Sequence, residues 1–394
     1  MRIISYCLLF GLFVLQACVE PFDPKLRFNE RLLVVNATIT DQAEPLPVIL
    51  SQSTSRADSA NLTTPLTRAA VTVLVDGTTT VTLRESPTDP GTYAFPAGFR
   101  GRVGSTYQLR FQTAEGIRYE SSVETLMAAP PVTRAYDTYN PAGLRTTADA
   151  PPTPTNDVFI DFTDPAGQRN FYLWRWRLYE VQSWCATCIQ GRYVIRDIGP
   201  VGSGPVEVLG CVVDPALPFG NKFDYPCRGQ CWAIFYSSRI DIMADVYTNG
   251  APQVGHKIAS VPMYQREPAL LTIEQLAISA NAYRYYRIIA DQSQNTGTLA
   301  DSPPAPLAGN VRNLADPAEN VVGYFTAAGV AVYHHKLNRR NLPGDLKGLF
   351  FEQNRREPNI DLNPNALFPG QGLPSALCTE SRTRTPTIPP GWNQ

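Results

Sequence analysis

Apolar and polar residues alternate with a period of two over short segments in the first part of the chain, and turn residues separate these segments. Such alternation predicts β-strands with one buried face. The Asp76-Gly77 pair is typical of a tight hairpin turn between two of them. A succession of short strands predicts an immunoglobulin-like β-sandwich at residues 31–128. The predicted strands are Leu32–Thr40, Pro47–Gln52, Ala70–Asp76, Thr79–Arg84, Thr92–Phe95, Thr106–Gln112 and Arg118–Thr125.

Residues 156–340 also carry mainly strand patterns, which predict a second β-rich, sandwich-like domain. In Phe171–Val181 the aromatic rings do not share one face, and this indicates a strand buried between two layers. One helix is predicted from Asn281 to about Gln292, with Ser279 as its N-cap. The predicted fold class is therefore mainly β. Further strands are predicted at Val158–Phe162, Ile234–Tyr236, Ile240–Tyr247, Lys257–Val261, Leu270–Ile278, Val321–Phe325 and Val330–Leu337.

Stretches rich in proline and small polar residues interrupt the strand pattern. Residues 129–155 predict a Pro-rich linker between the two domains. Residues 182–232 hold most of the cysteines and predict a disulfide-stapled insert in the second domain. Residues 341–394 predict an irregular C-terminal tail. With 35 prolines and 27 glycines in 394 residues, turns are expected to be frequent and long helices rare.

The N-terminus carries an apolar run from Ile3 to Leu15 behind Arg2. The run is shorter than the roughly 20 residues that a helix needs to span a bilayer, so residues 1–17 are predicted to be a cleaved signal peptide. The sequence Leu15-Gln16-Ala17-Cys18 resembles the lipobox of bacterial lipoproteins, in which the cysteine becomes the first residue and carries acyl chains. A secreted protein whose cleavage site abuts a cysteine is the alternative.

A lipidated Cys18 would hold the mature chain on a membrane, because two or more acyl chains give lasting attachment. Residues 18–30 would then form a polar leash. Glu20 and Asp23 in this leash are similar to the surface-export signals of Bacteroidota lipoproteins. The expected location is therefore the outer membrane, with a lipid anchor and with the protein facing the cell exterior.

Six cysteines remain when Cys7 and Cys18 are set aside. Outside the cytoplasm they are expected to form disulfides, and the sequence does not rank the possible pairings. A zinc site is the alternative, because Cys185-x-x-Cys188 and Cys227-x-x-x-Cys231 have ligand-like spacings. The disulfide candidates are Cys185, Cys188, Cys211, Cys227, Cys231 and Cys378.

Residue types that carry catalysis or bind metals are sparse. The chain has 3 histidines, which is a small supply for acid–base chemistry. His334 and His335 are adjacent in a predicted strand, so their side chains should leave on opposite faces, and His256 stands alone in a turn-like context. Phosphate-binding, dinucleotide and zinc-protease motifs are absent from the sequence. We therefore predict no catalytic residue, cofactor or metal. The acidic pairs that lack calcium-loop spacing and are expected to be surface charge are Asp161 with Asp164 and Asp241 with Asp245.

Charge and exposed side chains limit the possible partners. The 34 basic residues nearly balance the 35 acidic ones, which argues against nucleic acid as a partner. Asp58-Ser59-Ala60 resembles the O-glycosylation sequon of Bacteroidota, so Ser59 is a candidate glycosylation site. On the predicted helix, a possible partner surface consists of Tyr283, Arg284, Tyr285 and Arg287, although simple packing of the helix on one side is the alternative.

Several segments occur in a characteristic order and spacing. They are the lipobox at Cys18, Leu33–Asp41, Cys231-Trp232, Leu276–Tyr286, Pro303-Pro304 with Gly309-Asn310, Val322–Phe325 and the ending from Cys378 to Trp392. Over nearly the whole mature chain, this pattern resembles domain of unknown function family 4249, a group of Bacteroidota outer-membrane lipoproteins. Members more often end with a pair of cysteines and a Gly-Gly ahead of the last tryptophan. Only Cys378 and Trp392 are present here, which leaves the pairing of Cys378 open.

The resemblance implies no established catalytic residue. Members are often encoded beside TonB-dependent outer-membrane receptors, which implies a receptor partner or an accessory that captures a ligand. The expected function is therefore that of a non-enzymatic surface lipoprotein, a binding accessory of a TonB-dependent transport system for nutrient capture. Two alternatives remain open, namely an envelope hydrolase with a dispersed site in the cysteine-rich insert, and an adhesin or structural envelope protein.

Overall fold

A computed structural model describes residues 31–43, 46–54, 63–145, 152–186, 224–293, 307–340, 342–344, 346–360 and 375–393, together with the backbone of two further strands at 192–195 and 206–209. These residues form several β-sheets and two helices, α1 (Ala280–Ser293) and α2 (Leu349–Asn354). The predicted mainly-β fold class is confirmed. Within the described ranges, neither helix has the length and apolar character that crossing a membrane requires.

The strands of the first part of the chain follow the predicted alternation closely. They are β1 (Leu33–Thr40), β2 (Val48–Ser53), β3 (Thr63–Pro65), β4 (Ala70–Val75), β5 (Thr79–Thr82), β6 (Arg84–Glu85), β7 (Thr92–Ala94), β8 (Thr106–Gln112), β9 (Arg118–Ser121) and β10 (Glu124–Thr125).

The later strands include several that are longer than the sequence pattern indicated. They are β11 (Val132–Leu144), β12 (Thr153–Thr163), β13 (Phe171–Val181), β14 (Trp184–Ala186), β15 (Arg192–Ile195), β16 (Val206–Leu209), β17 (Tyr225–Pro226), β18 (Trp232–Tyr236), β19 (Asp241–Ala244), β20 (Pro252–Pro262), β21 (Ala269–Ala277), β22 (Val311–Asn313), β23 (Val321–Leu337) and β24 (Arg384–Thr385).

The largest sheet has the order β24-β18-β13-β21-β23-β1-β2-β7-β6, with β19 beside β13 and β3 beside β2. Strand β23 lies at its centre. The first half of β23 pairs in parallel with β1, from Leu33 opposite Val321 to Thr40 opposite Ala328. Its second half pairs antiparallel with β21. The sequence predicted two strands here, but the small residues Thr326–Gly329 continue the strand, and Gly329 N donates to Met127 O at 2.8 Å.

A second sheet, β22-β9-β8-β4-β5 with β10 beside β8, packs on the β1 end of the large sheet. Their shared core contains Val35, Leu50, Val73, Leu109 and Phe325. The structure differs from the predicted sandwich at residues 31–128, because β22 and the first half of β23 also belong to it. Within residues 31–128, the large sheet gives β1 one neighbour, β2. The other edge of β1 pairs with β23, which comes from the second half of the chain.

A third sheet, β11-β12-β20, covers β13, β21 and the second half of β23. Its core includes Val158, Ile160 and Trp174. Strand β11 lies within the segment that the sequence predicted as a linker at residues 129–155, and β12 begins in the same segment. Prolines suit it because β11 is an edge strand, and Pro141 lies within its register shift between Asn140 and Leu144. The predicted irregular tail likewise contains α2 and β24, and β24 pairs with β18.

The predicted helix is confirmed as α1. Ser279 caps it, since its Oγ accepts a hydrogen bond from Ala282 N at 3.1 Å. The buried face packs on β23, where Tyr285 Oη accepts from Gly323 N at 3.0 Å. The helix therefore lies against the point where β23 passes from the sandwich to the second half of the chain.

Gly323 allows β23 to approach β1 closely. It has a φ of +98°, and a Cβ there would lie 1.9 Å from Val35 O. We expect Gly323→Ala to destabilise the protein by about 1–3 kcal/mol more than Gly98→Ala, measured by urea unfolding. Gly98 has a φ of +77° and open space around it, so it shares the backbone strain without the clash. Equal destabilisation by the two substitutions would contradict the tight β1–β23 approach.

Candidate functional site

Two disulfides join distant segments beside β18. Cys185 pairs with Cys227, and Cys231 pairs with Cys378 across 147 residues of sequence. Disulfide formation is thus the outcome for these four candidates, and the alternative of a zinc site that combines Cys227 with Cys231 is wrong for this structure, because each belongs to a separate disulfide. The Cys231–Cys378 bond ties the C-terminal segment back to the body. Its sulfurs and that of Cys185 all lie within 4.8 Å of one another.

A groove with a volume of about 430 Å³ lies beside these disulfides. Its walls come from the end of β13, the start of β18 and the C-terminal segment. The rings of Trp232 and Trp392 meet edge to face, with centroids 5.5 Å apart. Lys336 of β23 donates from Nζ to Trp392 O at 3.0 Å, which fixes this segment against the large sheet. The lining residues with polar or aromatic side chains include Gln182, Ser183, Gln230, Trp232 and Trp392.

Two lining residues of the groove hold buried polar atoms without a hydrogen-bond partner. Within the described ranges, neither Trp232 Nε1, a donor, nor Gln182 Oε1, an acceptor, has one. A buried polar group without a partner is costly, and water or a ligand commonly satisfies it. The residues that line the groove thus include two tryptophans, and they contain one buried donor and one buried acceptor that are unpaired within the described ranges. Cys231-Trp232 and Trp392 belong to the characteristic sequence pattern, but that pattern predicts no function for them.

The groove lining contains none of the three histidines, although His334 lies against Gly391 beside Trp392. His334 and His335 leave β23 on opposite faces, as predicted: His334 Nδ1 is 3.1 Å from Thr272 Oγ1, and His335 Nε2 is 2.8 Å from Asp137 Oδ1. Burial lowers the pKa of His334, and the Arg177 charge adds to this effect. The prediction of a turn-like context for His256 is wrong, because it lies in β20.

His256 is held by an aromatic and an acidic neighbour. Its ring centroid is 4.2 Å from that of Trp174, and its Nε2 is 3.2 Å from Asp241 Oδ2. Strand β20 begins at Pro252, earlier in the chain than the predicted start at Lys257. Gly255 and Pro252 do not prevent its antiparallel pairing with β12. This histidine thus anchors the third sheet to β13 and β19.

A buried ion pair crosses the second half of the chain. Arg339 Nη1 and Glu180 Oε1 are 2.7 Å apart, and both side chains are fully buried. Burial raises the pKa of Glu180, while the Arg339 charge opposes that rise. Arg339 Nε also donates to Asn156 Oδ1, and Asn156 Nδ2 donates to Asp137 Oδ2 at 2.8 Å. These groups form one network that joins β11, β12, β13 and the residues after β23, and His335 is its last member.

The aspartate pairs predicted to be surface charge are regrouped by the fold. Asp161 Oδ1 accepts from Gly255 N at 2.8 Å, and Asp241 pairs with His256. Asp164 and Asp245 are each only 1% exposed, so the prediction of surface charge is wrong for both. Asp164 directly follows the last residue of β12, and Asp245 directly follows the last residue of β19.

The predicted partner surface on α1 is only partly exposed. Arg284 and Arg287 face solvent. Tyr283 packs on Phe171, with centroids 5.1 Å apart. Tyr285 is buried, so it cannot belong to a surface, because its hydroxyl is held at Gly323 of β23. The remaining site predictions, Cys18, Ser59, Cys188 and Cys211, lie outside the described residues.

Comparison with known proteins gave one match. The family model described as Domain of unknown function (DUF4249) matches residues 19–334. The resemblance that the sequence suggested is therefore confirmed. No curated protein and no solved structure matches the chain.

Asp157, on the outer side of the third sheet, has a lowered pKa. Burial alone would raise its pKa, but hydrogen bonds from Lys257, Asn140, Thr155 and Ser260 outweigh this and lower the pKa from 3.8 to about 2. A lowered pKa in the folded state gives stability that is present above the unfolded pKa and is lost as the pH falls toward the folded one.

The wild type should lose unfolding free energy between about pH 5 and pH 2 as Asp157 is protonated. We expect this loss to be about 1–2 kcal/mol smaller in Asp157→Asn, which has no carboxylate to protonate. Urea unfolding across this range measures the effect. Lys257→Met should flatten the same part of the profile, since Lys257 Nζ donates to Asp157 Oδ2 at 2.7 Å. Identical pH profiles for the wild type and both variants would show that this carboxylate contributes nothing.

Proposed function

Because the chain belongs to the DUF4249 family, whose model matches most of its length, we propose that it is a binding protein anchored to the outer membrane by a lipid on Cys18. The protein captures a small polar ligand at the cell exterior in the groove beside its disulfides. It passes this ligand to a TonB-dependent receptor and performs no catalysis itself.

The groove is the observation that carries the proposal. Its volume of about 430 Å³ lies within the range of about 300–1,000 Å³ typical of small-molecule sites. Such sites combine apolar rings with a few polar groups that orient the ligand. Here the rings are those of Trp232 and Trp392, and the polar groups are those of Gln182, Ser183 and Gln230.

The disulfides support binding by a preformed site. Cys227 and Cys231 both line the groove, and each is bonded to a cysteine of another segment. Walls that are fixed before binding reduce the conformational entropy lost when a ligand enters. A site with this design needs no ordering of a loop for capture.

The sequence before β1 supports attachment close to a bilayer. Cys18 precedes Leu33, the first residue of β1, by 15 positions. A fully extended chain of that length reaches at most about 50 Å. A lipid on Cys18 would thus keep the sandwich within reach of a receptor in the same membrane.

Replacing Cys18 tests the anchor. We expect Cys18→Ser to leave the membrane fraction, because no acyl chain can be attached. Cys7→Ser, within the predicted signal peptide, is the matched control and should stay with membranes. From wild-type membranes solubilised in mild detergent, a TonB-dependent receptor should co-purify with the protein. A membrane-bound Cys18→Ser form, or a wild-type protein that purifies alone, would contradict the proposal.

Replacing Trp392 tests the groove. We expect Trp392→Ala to weaken ligand binding at least about ten-fold, because an aromatic anchor in a pocket commonly contributes more than 1.4 kcal/mol. Intrinsic fluorescence titration with panels of soluble oligosaccharides and short peptides measures binding. Trp184→Ala is the control, since Trp184 packs on Phe350 with centroids 5.3 Å apart and does not line the groove. Binding that survives Trp392→Ala unchanged would exclude this site.

A further inference from the structure

The buried carboxylate of Asp245 has no cationic partner among the described residues. Asp245, just after β19, is 1% exposed. Its Oδ2 accepts a long hydrogen bond of 3.4 Å from Asn170 Nδ2. Its Oδ1 has no partner in the part of the chain that the structure describes. A carboxylate in the protein interior is unstable as an ion unless a cation or several donors surround it.

Asp164 is a second buried carboxylate in this part of the fold. Asp164, just after β12, accepts at Oδ1 from the Tyr172 hydroxyl and at Oδ2 from Gly250 N, the latter at 3.0 Å. Burial raises the pKa of Tyr172, and the charges of both Asp164 and Asp245 raise it further. The Tyr172 hydroxyl thus contacts Asp164 directly and is influenced by the charge of Asp245, although the two aspartates come from different loops.

The backbone holds these two loops together. Asp245 N donates to Asn170 O at 3.1 Å, and Asp164 N donates to Ala251 O at 3.4 Å. The first contact joins the turn after β19 to the start of β13. The second joins the end of β12 to the start of β20. The ends of β12 and β19 and the starts of β13 and β20 thus fix the positions of the two carboxylates.

Thr248 adds a third oxygen. Its Oγ1 is buried and has no hydrogen-bond partner among the described residues. Thr248 N donates to Asp245 O at 2.8 Å, so the hydroxyl and the unpaired carboxylate belong to one tight turn. Oxygen atoms of carboxylates and hydroxyls are suited to hard divalent cations.

We infer that Asp245, Thr248 and Asp164 bind a hard divalent cation of the calcium class. Two carboxylates match its charge, and Asp245 Oδ1 and Thr248 Oγ1 supply ligand atoms that have no hydrogen-bond partner among the described residues. A proton on Asp245 or an ordered water would also relieve the unpaired group. Neither of these depends on calcium, so the test separates them from the cation.

The full-length protein, freed of metals with a chelator, is the material for the test. We expect its Tm to rise as calcium is added, with half of the effect at about 10⁻⁴–10⁻³ M, the range of extracellular calcium modules. Sodium chloride at the same ionic strength should give no such rise. Terbium should bind in place of calcium and emit when Tyr172 and Trp174 are excited, since Tyr172 contacts Asp164 and its ring lies 5.8 Å from that of Trp174.

Asp245→Asn is the decisive variant. It should lose the calcium-dependent rise in Tm and the terbium emission. In chelator its Tm should exceed that of the wild type, because the uncompensated charge is gone. Asp241→Asn is the matched control on the same strand and should keep the calcium response, since Asp241 pairs with His256 instead.

Thr248→Ala provides a second, independent variant. It leaves both carboxylates in place and should raise the calcium concentration needed for half of the Tm shift by about ten-fold or more. A wild-type Tm that is the same in chelator and in calcium, without terbium emission, overturns the inference. A calcium response that persists unchanged in both Asp245→Asn and Thr248→Ala overturns it as well.

Discussion

The parallel pairing of β1 with the first half of β23 is the interaction on which the rest of the fold depends. It joins residues near the start of the folded chain to residues almost 290 positions later, and Asp41 Oδ1 closes it by accepting from Val330 N at 2.9 Å. No cysteine lies between Cys18 and Cys185, so the sandwich has no disulfide of its own sequence to hold it. Without β23, strand β1 would present an open edge. The sandwich is therefore complete only when the second half of the chain has folded against it.

The same strand also positions the candidate groove. Beyond Gly329, β23 pairs with β21 and ends near the network of Arg339 and Glu180, so the second half of the large sheet is built around it. Lys336 on this strand binds the backbone of Trp392, while Cys378 is bonded to Cys231 next to β18. Two contacts of different kinds thus press one C-terminal segment onto the sheet. The groove lies between this segment and the start of β18, since Trp392 and Trp232 both line it.

The sequence could predict those elements whose cause is local. Alternation of residues identified β4 and β8, and Ser279 ahead of an apolar face identified α1. What could not be predicted depends on distant partners. Strand β11 has the composition of a linker and becomes a strand because β12 offers it an edge. The two predicted strands at 321–325 and 330–337 form one strand because β1 pairs with its first half and β21 with its second half. Folding brings Trp232 and Trp392 together in the groove, and no spacing in the sequence predicts this contact.

The buried carboxylates of this chain differ in how many hydrogen-bond and ion-pair partners compensate them. Glu180 is compensated by Arg339, and Asp157 by Lys257 together with neutral donors. Asp164 lacks a cation but has a donor on each oxygen. In each case the compensating group comes from a different strand or loop, which is why no local motif reveals the pairing. Asp245 has only one long hydrogen bond, although equally distant segments surround it. Glu124, which is also buried, has an unpaired Oε2 within the described residues, but its Oε1 accepts from Ser122, Asn310 and Tyr324. Asp245 is thus the buried carboxylate with the fewest donors in the described part of the chain, and this is why the inferred cation is placed there.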